Sequence, residues 1–305
     1  MSVTDAERPS GPPLLRAESA RLLVDGVVMY AALTCESRGG RVVVFGDIEP
    51  LVRVLSGTAA GASSGSAAVA GGAFEVAGVD VSSAAFRHEV GVALRDVPLP
   101  ERWSVARYLE WSARLAGLTA RDARGRASEC LAEVELLRLA GRLTTSLVRH
   151  ERRLVTLVAA LLTNPRALVL VDPLGELEPQ GRAAMFDALD RASRARGVVV
   201  FQPSLSLEEV TLPLVLGATW VVCVRSGSLL LEGEPERFLG HARAYVVSGI
   251  GPVLTLADEL ERLGVTVSRR AGSLLVRLPE GTAPREVLAA AVRVGVGLTG
   301  LAPLV

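Results

Sequence analysis

Residues 41–50, Arg-Val-Val-Val-Phe-Gly-Asp-Ile-Glu-Pro, carry an apolar segment into a glycine and then into a helix-like segment. A chain can bind phosphate at such a junction. A loop of the form GxxxxGK[ST] does so because its glycines let backbone N–H groups cradle the oxygens, its lysine reaches the terminal phosphates, and its hydroxyl holds Mg²⁺. Here Gly46 is followed by Asp47, Ile48, Glu49 and Pro50, with no second glycine, no lysine and no hydroxyl. Asp47 and Glu49 repel phosphate, and Pro50 lacks a donor N–H. All 33 basic side chains are arginine, so chemistry that requires a lysine amine is excluded from this chain.

Other positions have chemical potential of their own. Asp172 closes the apolar run Ala167-Leu168-Val169-Leu170-Val171, where a carboxylate can hold a metal or sit solvated in a loop. His150 stands among Arg149, Arg152 and Arg153, a pattern read as a solvated helix start ahead of an anion site. Trp103, Tyr108 and Trp111 have the amphipathic character of interface residues, although Tyr108 and Trp111 fall on one helical face and fit a core equally well. The stretch 57–72, rich in Gly, Ser and Ala, lacks lysine and a leading strand, so it reads as a mobile linker and not as a replacement phosphate loop. Cys35, Cys130 and Cys223 are widely spaced and odd in number, as expected of buried thiols in a reducing compartment.

The elements that must hold these residues follow from the pattern. Half of the 305 residues are hydrophobic, enough for a substantial core. The 33 basic and 33 acidic residues balance without long runs of one sign, which gives no footprint for nucleic acid. Residues 1–18 are polar and Pro-rich and are expected to be loose, without the basic and apolar regions of a signal peptide. Two strands around Asp25-Gly26, a buried strand at 41–46 and an edge strand at 73–81 are expected. Helices are expected at 104–118, 126–143 and 151–165, strands at 167–173 and 198–202 around a helix at 179–197, a helix at 204–216, and a hairpin about Ser226-Gly227. Buried strands alternating with helices imply an α/β domain with a largely parallel core sheet. After Gly240 the order becomes βαββαβ, which describes a small α+β ferredoxin-like domain at 241–305.

The segment Leu161-Leu162-Thr163-Asn164-Pro165 through Leu170-Val171-Asp172-Pro173 to Leu177-Glu178-Pro179, followed by a helix, resembles the ATP-binding subunit of an ABC transporter. In that family an apolar strand ends in Asp-Glu-Pro, and a loop ending Leu-Asp-Pro precedes a helix. The opening strands, the stretch entering the helical zone, the closing hairpin and the C-terminal domain extend the likeness over residues 20–303. The C-terminal domain resembles the accessory domain of drug-export ATPases of the daunorubicin-resistance kind. The resemblance implies a P-loop NTPase-type, ABC ATPase-like domain over 19–240 with a helical subdomain at about 97–165.

Matched residue by residue, the resemblance assigns the family's functional positions to altered residues. The loop after Gly46 is about four residues shorter than the family pattern. Asp172 matches either the Mg²⁺-associated Asp or the catalytic Glu, but not both. The signature loop falls on Leu147-Val148-Arg149-His150-Glu151, the glutamine that links the site to the membrane subunit on Arg95, the late histidine on Leu205, and the adenine-stacking aromatic on Val24. Glu178 stands for the family's Asp before Pro179.

Three functions are compatible with this pattern. The favoured one is a catalytically inactive ABC ATPase-like protein in a transport or related membrane-associated complex. Gly46, Asp172 and Glu178 are then remnants, with no catalytic residue, no metal and no ATP or Mg²⁺ expected to bind. The others are an atypical ATP-binding subunit that powers an exporter, and a stand-alone binding module that reuses the cleft. Expected partners are an ABC-type permease, an active ABC ATPase, or a second copy, met through a face bearing Arg95, Trp103 and Arg107. The expected location is cytoplasmic, at the inner face of the membrane.

Overall fold

A computed structural model describes residues 13–60, 66–203, 212–235, 244–270, 273–279 and 282–303. They divide into two compact units, one within Met1–Leu205 and Pro213–Gly233, the other within Ser206–Leu212 and Glu234–Val305.

The first unit opens with β1 (Leu15–Val24), β2 (Val27–Glu36), β3 (Arg41–Gly46), α1 (Glu49–Ala60), β4 (Ala67–Val76), β5 (Val79–Asp80), α2 (Phe86–Glu89) and β6 (Val90–Ala93). Then come α3 (Val105–Leu115), α4 (Ala120–Glu133), α5 (Arg149–Leu161), β7 (Ala167–Val171), α6 (Pro179–Ser193), β8 (Gly197–Gln202), α7 (Leu212–Leu216), β9 (Trp220–Arg225) and β10 (Ser228–Gly233). An antiparallel sheet has the order β2-β1-β4-β5, and a six-stranded sheet has the order β10-β9-β3-β8-β7-β6. All pairings in the second sheet are parallel except the β9–β10 hairpin. Its central strands are apolar throughout because both faces are covered: Val42, Val43, Val44 and Phe45 of β3 are all buried. Helix α1 presents Leu51, Val54 and Leu55, at helical spacing, to the core shared by the two sheets, where Leu22, Tyr30, Leu33 and Phe74 meet them.

Helices α3, α4 and α5 form a group between β6 and β7 in sequence and pack on one another. Their starts are written locally: Ser104 accepts from the Arg107 N–H and Thr119 from the Asp122 N–H.

The second unit contains β11 (Ala244–Ile250), α8 (Val253–Arg262), β12 (Thr266–Arg270), β13 (Ser273–Arg277), α9 (Pro284–Arg293) and β14 (Gly297–Pro303). The sheet order is β12-β13-β11-β14, with every pair antiparallel. Leu256 and Leu260 of α8 and Val287 and Ala291 of α9 share one core with Val247, Leu274 and Val276 of the sheet.

Several expectations need correction. Residues 15–18 are not a loose terminus: they begin β1, with Leu15 and Ala17 buried and paired to β2 and β4. The stretch 57–72 is not one linker, because α1 extends to Ala60 and residues 67–72 pair with β1 inside the antiparallel sheet. Small side chains give such a strand no apolar alternation, so its pairing is invisible in composition. Within 73–81, the edge is β5, and β4 lies between β1 and β5. Helix α4 starts at Ala120 and stops at Glu133, ahead of Glu135 in the left-handed region at φ 59°. The units part after Gly233, the last residue paired to β9, and not at residue 240. Of the helix expected at 204–216, residues 204–211 lie outside the described residues. No helix among the described residues is long and apolar enough to cross a membrane.

Candidate functional site

Strand β3 delivers Gly46 at a φ of 108°, and only Asp47 and Ile48 separate it from α1. A side chain at Gly46 would run into the Val224 carbonyl, so glycine is demanded both by the φ and by the closeness of β9. The N–H groups of this connection are spent within the chain. Asp47 N–H donates to the Val224 carbonyl at 3.0 Å and Ile48 N–H to the Gly46 carbonyl at 2.8 Å. The Asp47 carboxylate accepts from the Ser226 N–H at 2.6 Å, and the Tyr30 hydroxyl donates to the Asp47 carbonyl at 2.7 Å. Burial, with Asp47 adding to it, pushes the Tyr30 phenol pKa well up, so it stays a proton donor. The junction is closed on itself, with a carboxylate at its tip where a phosphate cradle needs open N–H groups.

The neighbouring strand ends hold an ion network. Asp172 follows β7 in the left-handed region at φ 44° and is 4% exposed. Its carboxylate accepts from Arg95 Nη1 at 2.6 Å, Gln202 Nε2 at 2.8 Å and Gly175 N–H at 3.1 Å. Gly175 must be small, since a Cβ there would overlap that carboxylate. Arg95, in the segment after β6, also meets Glu176 at 2.6 Å and Asp96 at 3.0 Å. Glu176 in turn pairs with Arg149 of α5 at 2.9 Å. The Arg95 hydrogen bond holds the Glu176 carboxyl below its usual range, and the same bond raises the Arg95 pKa. Arg153, 3% exposed, aims Nη1 at the carbonyls of Asp172, Pro173 and Gly175 at 3.3, 3.2 and 2.6 Å. Burial lowers its pKa, although a guanidinium stays charged at neutral pH.

Arg95, expected on a partner surface, is 30% exposed, and its guanidinium is bound to the carboxylates of Asp172, Glu176 and Asp96. Asp172 is not a solvated loop carboxylate, because Arg95 and Gln202 bury it. Trp103 and Arg107 do come together, with the guanidinium 4.7 Å from the ring centroid, and Trp111 meets Trp103 edge-on at 5.6 Å. Trp111 is 44% exposed whereas Tyr108 is buried, so the two divide between surface and core. Glu178 occupies the N-cap position of α6 ahead of Pro179, makes no side-chain capping hydrogen bond, and is exposed. In the 147–151 segment, α5 begins at Arg149, His150 packs against Gly181, and Glu151 accepts from the Val148 N–H at 3.1 Å and from Arg142 at 2.5 Å. Leu205 lies outside the described residues.

No family model matches the chain. Over 167 residues it is 34% identical to the daunorubicin resistance ATP-binding protein DrrA3 of Streptomyces coeruleorubidus, which covers 54% of this chain and 51% of the relative. It is 31% identical over 176 residues to the zinc import ATP-binding protein ZnuC of Alkalilimnicola ehrlichii, covering 55% of this chain and 65% of that protein. Among solved structures, CbiO1 of Clostridium perfringens, part of the ABC transporter complex CbiONQ, matches with a TM-score of 0.61 at 17% identity, over 83% of this chain and 96% of that one. The fold is that of an ABC ATP-binding cassette. The chain spans about half the length of the first of these relatives.

Within this cassette, Arg95, Asp172 and Gln202 lie at the carboxyl ends of adjacent parallel strands, the place where open α/β sheets bind ligands. Side chains of the chain itself occupy that place. Among the described residues no group of three or more His, Cys, Asp or Glu could hold a metal. Sequence reasoning singled out Asp172 and Arg95, read Arg153 as part of a solvated helix start although it is 3% exposed, and missed Glu176 and Gln202. Gln202 left a signal, as a polar residue ending the buried run Val198–Phe201 on the strand beside β7. Arg153 left a weaker one, one helical turn after Arg149 on the same face.

Proposed function

We propose that this chain is a catalytically inactive, cassette-shaped subunit of an ABC-type transport system or a related membrane-associated complex. The observation that carries this reading is the β3–α1 connection: two residues long, with the Asp47 and Ile48 N–H groups bonded to the chain's own carbonyls. Without a lysine, an open N–H cradle or a hydroxyl, nothing at this junction holds a nucleoside triphosphate, and no ATP or Mg²⁺ is required. The Arg95–Asp172 pair supports the same reading, since the carboxylate that would serve Mg²⁺ is instead neutralised by an arginine.

The relatives are named for ATP binding in import or drug resistance, and CbiO1 is part of a larger transporter complex. A partner of the same kind, a membrane permease or an active ATPase, is proposed here. The cluster of half-buried Trp103 with exposed Arg107 and Trp111 supplies the aromatic and arginine anchors that protein contacts use. The location is the cytoplasmic face of the membrane, and the second unit is a ferredoxin-like accessory domain, consistent with its βαββαβ order.

Calorimetric titration of the full chain with Mg-ATP tests the inactive reading. No binding is expected, and a micromolar Kd, about −8 kcal/mol, overturns it. Capture of a permease or ATPase by the tagged chain, lost on replacing Trp103 and Arg107 by Ala with an unchanged circular dichroism spectrum, tests the partner reading.

A further inference from the structure

Between β2 and the β3–α1 junction lies a cleft of about 420 Å³, the size of a pocket for a drug-sized molecule. Val24, Val28, Met29 and Pro50 form its apolar wall, and Asp47 and Glu49 its acidic side. Val28 and Met29 are 39% and 41% exposed, so this wall faces water. The charges are unbalanced. Among the described residues the Glu49 carboxylate has no hydrogen bond or ion pair, and the Asp47 carboxylate meets a backbone N–H and no cation. Arg53 also lines the cleft, one helical turn after Glu49, and its charge is engaged by Asp25 at 3.1 Å.

An anion is disfavoured here: Asp47 and Glu49 repel it, the Asp47 and Ile48 N–H groups donate to carbonyls of the chain, and Arg53 is already paired with Asp25. A bare metal ion finds too few ligands, since no metal-holding cluster exists among the described residues. A cation with an apolar body satisfies both sides: the charge sits by Asp47 and Glu49, and the body covers Val24, Val28 and Met29. We propose that this cleft is a binding site for an amphipathic organic cation, a protonated amine carried on an apolar group. The site does not depend on the proposed complex, since it is formed within the first unit alone.

The test uses a fluorescent dansyl-alkylamine and its N-acetylated analogue, which has the same apolar body without the charge, titrated into the full chain. The amine is expected to bind with a micromolar Kd and the acetylated probe at least fivefold more weakly. Glu49→Gln removes one charge without touching a structural hydrogen bond, and it should shrink that difference at least twofold. Met29→Ser should weaken both probes alike. Circular dichroism checks that each variant folds. Equal binding of the two probes, no binding of the amine at millimolar concentration, or a difference untouched in a folded Glu49→Gln/Asp47→Asn variant overturns the proposal.

Discussion

Arg95 Nη1 and Asp172 Oδ2 stand 2.6 Å apart, joining the segment after β6 to the loop after β7. The Asp172 side chain is 5% exposed and that of Arg95 30%, so the carboxylate depends on this arginine for charge compensation. Arg95→Ala should cost about 2 kcal/mol in urea unfolding, and Asp172→Asn on that background should recover part of the loss. The double-mutant cycle should give a coupling of about 1–3 kcal/mol. Additive effects of the two substitutions would remove the pair from the account of the site.

Gly46→Ala places a methyl group against the Val224 carbonyl at a φ of 108°. The thermal midpoint, followed by circular dichroism, should fall well below that of Gly26→Ala. Gly26 has a φ of 78° but nothing around it, so only the backbone penalty of about 1 kcal/mol applies there.

Arg153→Met keeps the apolar stem but withdraws Nη1 from three carbonyls of the 172–175 turn. A loss of about 3 kcal/mol in urea unfolding is expected, together with faster amide exchange at Gly175. Wild-type exchange at Gly175 in the variant would mean that the turn stands without the arginine.

Burial pushes the Cys35 thiol up to about 12 and the Cys130 and Cys223 thiols up to about 11, from a starting value of 9.0. The folded chain should resist a disulfide reagent at pH 8, and all three thiols should react in denaturant. Above pH 9 the unfolded chain releases thiol protons that the folded chain retains. This contribution to stability is therefore complete below pH 9 and is lost between about pH 9 and pH 12. Denaturant midpoints across that range provide the check.

Much of the cassette was legible because its signals are local. The runs at 42–45, 167–171 and 198–201 are apolar without interruption, and they became the bodies of β3, β7 and β8. The shortness of the β3–α1 junction was legible for the same reason, since Asp47, Ile48, Glu49 and Pro50, with no lysine, hydroxyl or second glycine, stand in adjacent positions. β4 was not legible, because Ala67-Ala68-Val69-Ala70-Gly71-Gly72 becomes a strand only through its pairing with β1. The start of α4 was hidden by its polar first turns, whose cap at Thr119 outweighs the weak apolar pattern. The ion network was out of reach because its members are remote in sequence, with Arg95 and Asp172 separated by 77 positions.

The turn after β7 contains two residues other than glycine in the left-handed region, Asp172 at φ 44° and Glu176 at φ 56°. Each such residue costs about 1–2 kcal/mol, and the turn keeps this shape only while Arg95, Arg149 and Arg153 grip it. It is a loaded clasp and not a hinge. Released from one arginine, it relaxes toward ordinary backbone angles and carries the other contacts with it. The strand ends should therefore come apart in one cooperative event, so amide exchange along the 172–176 turn should report a single opening free energy.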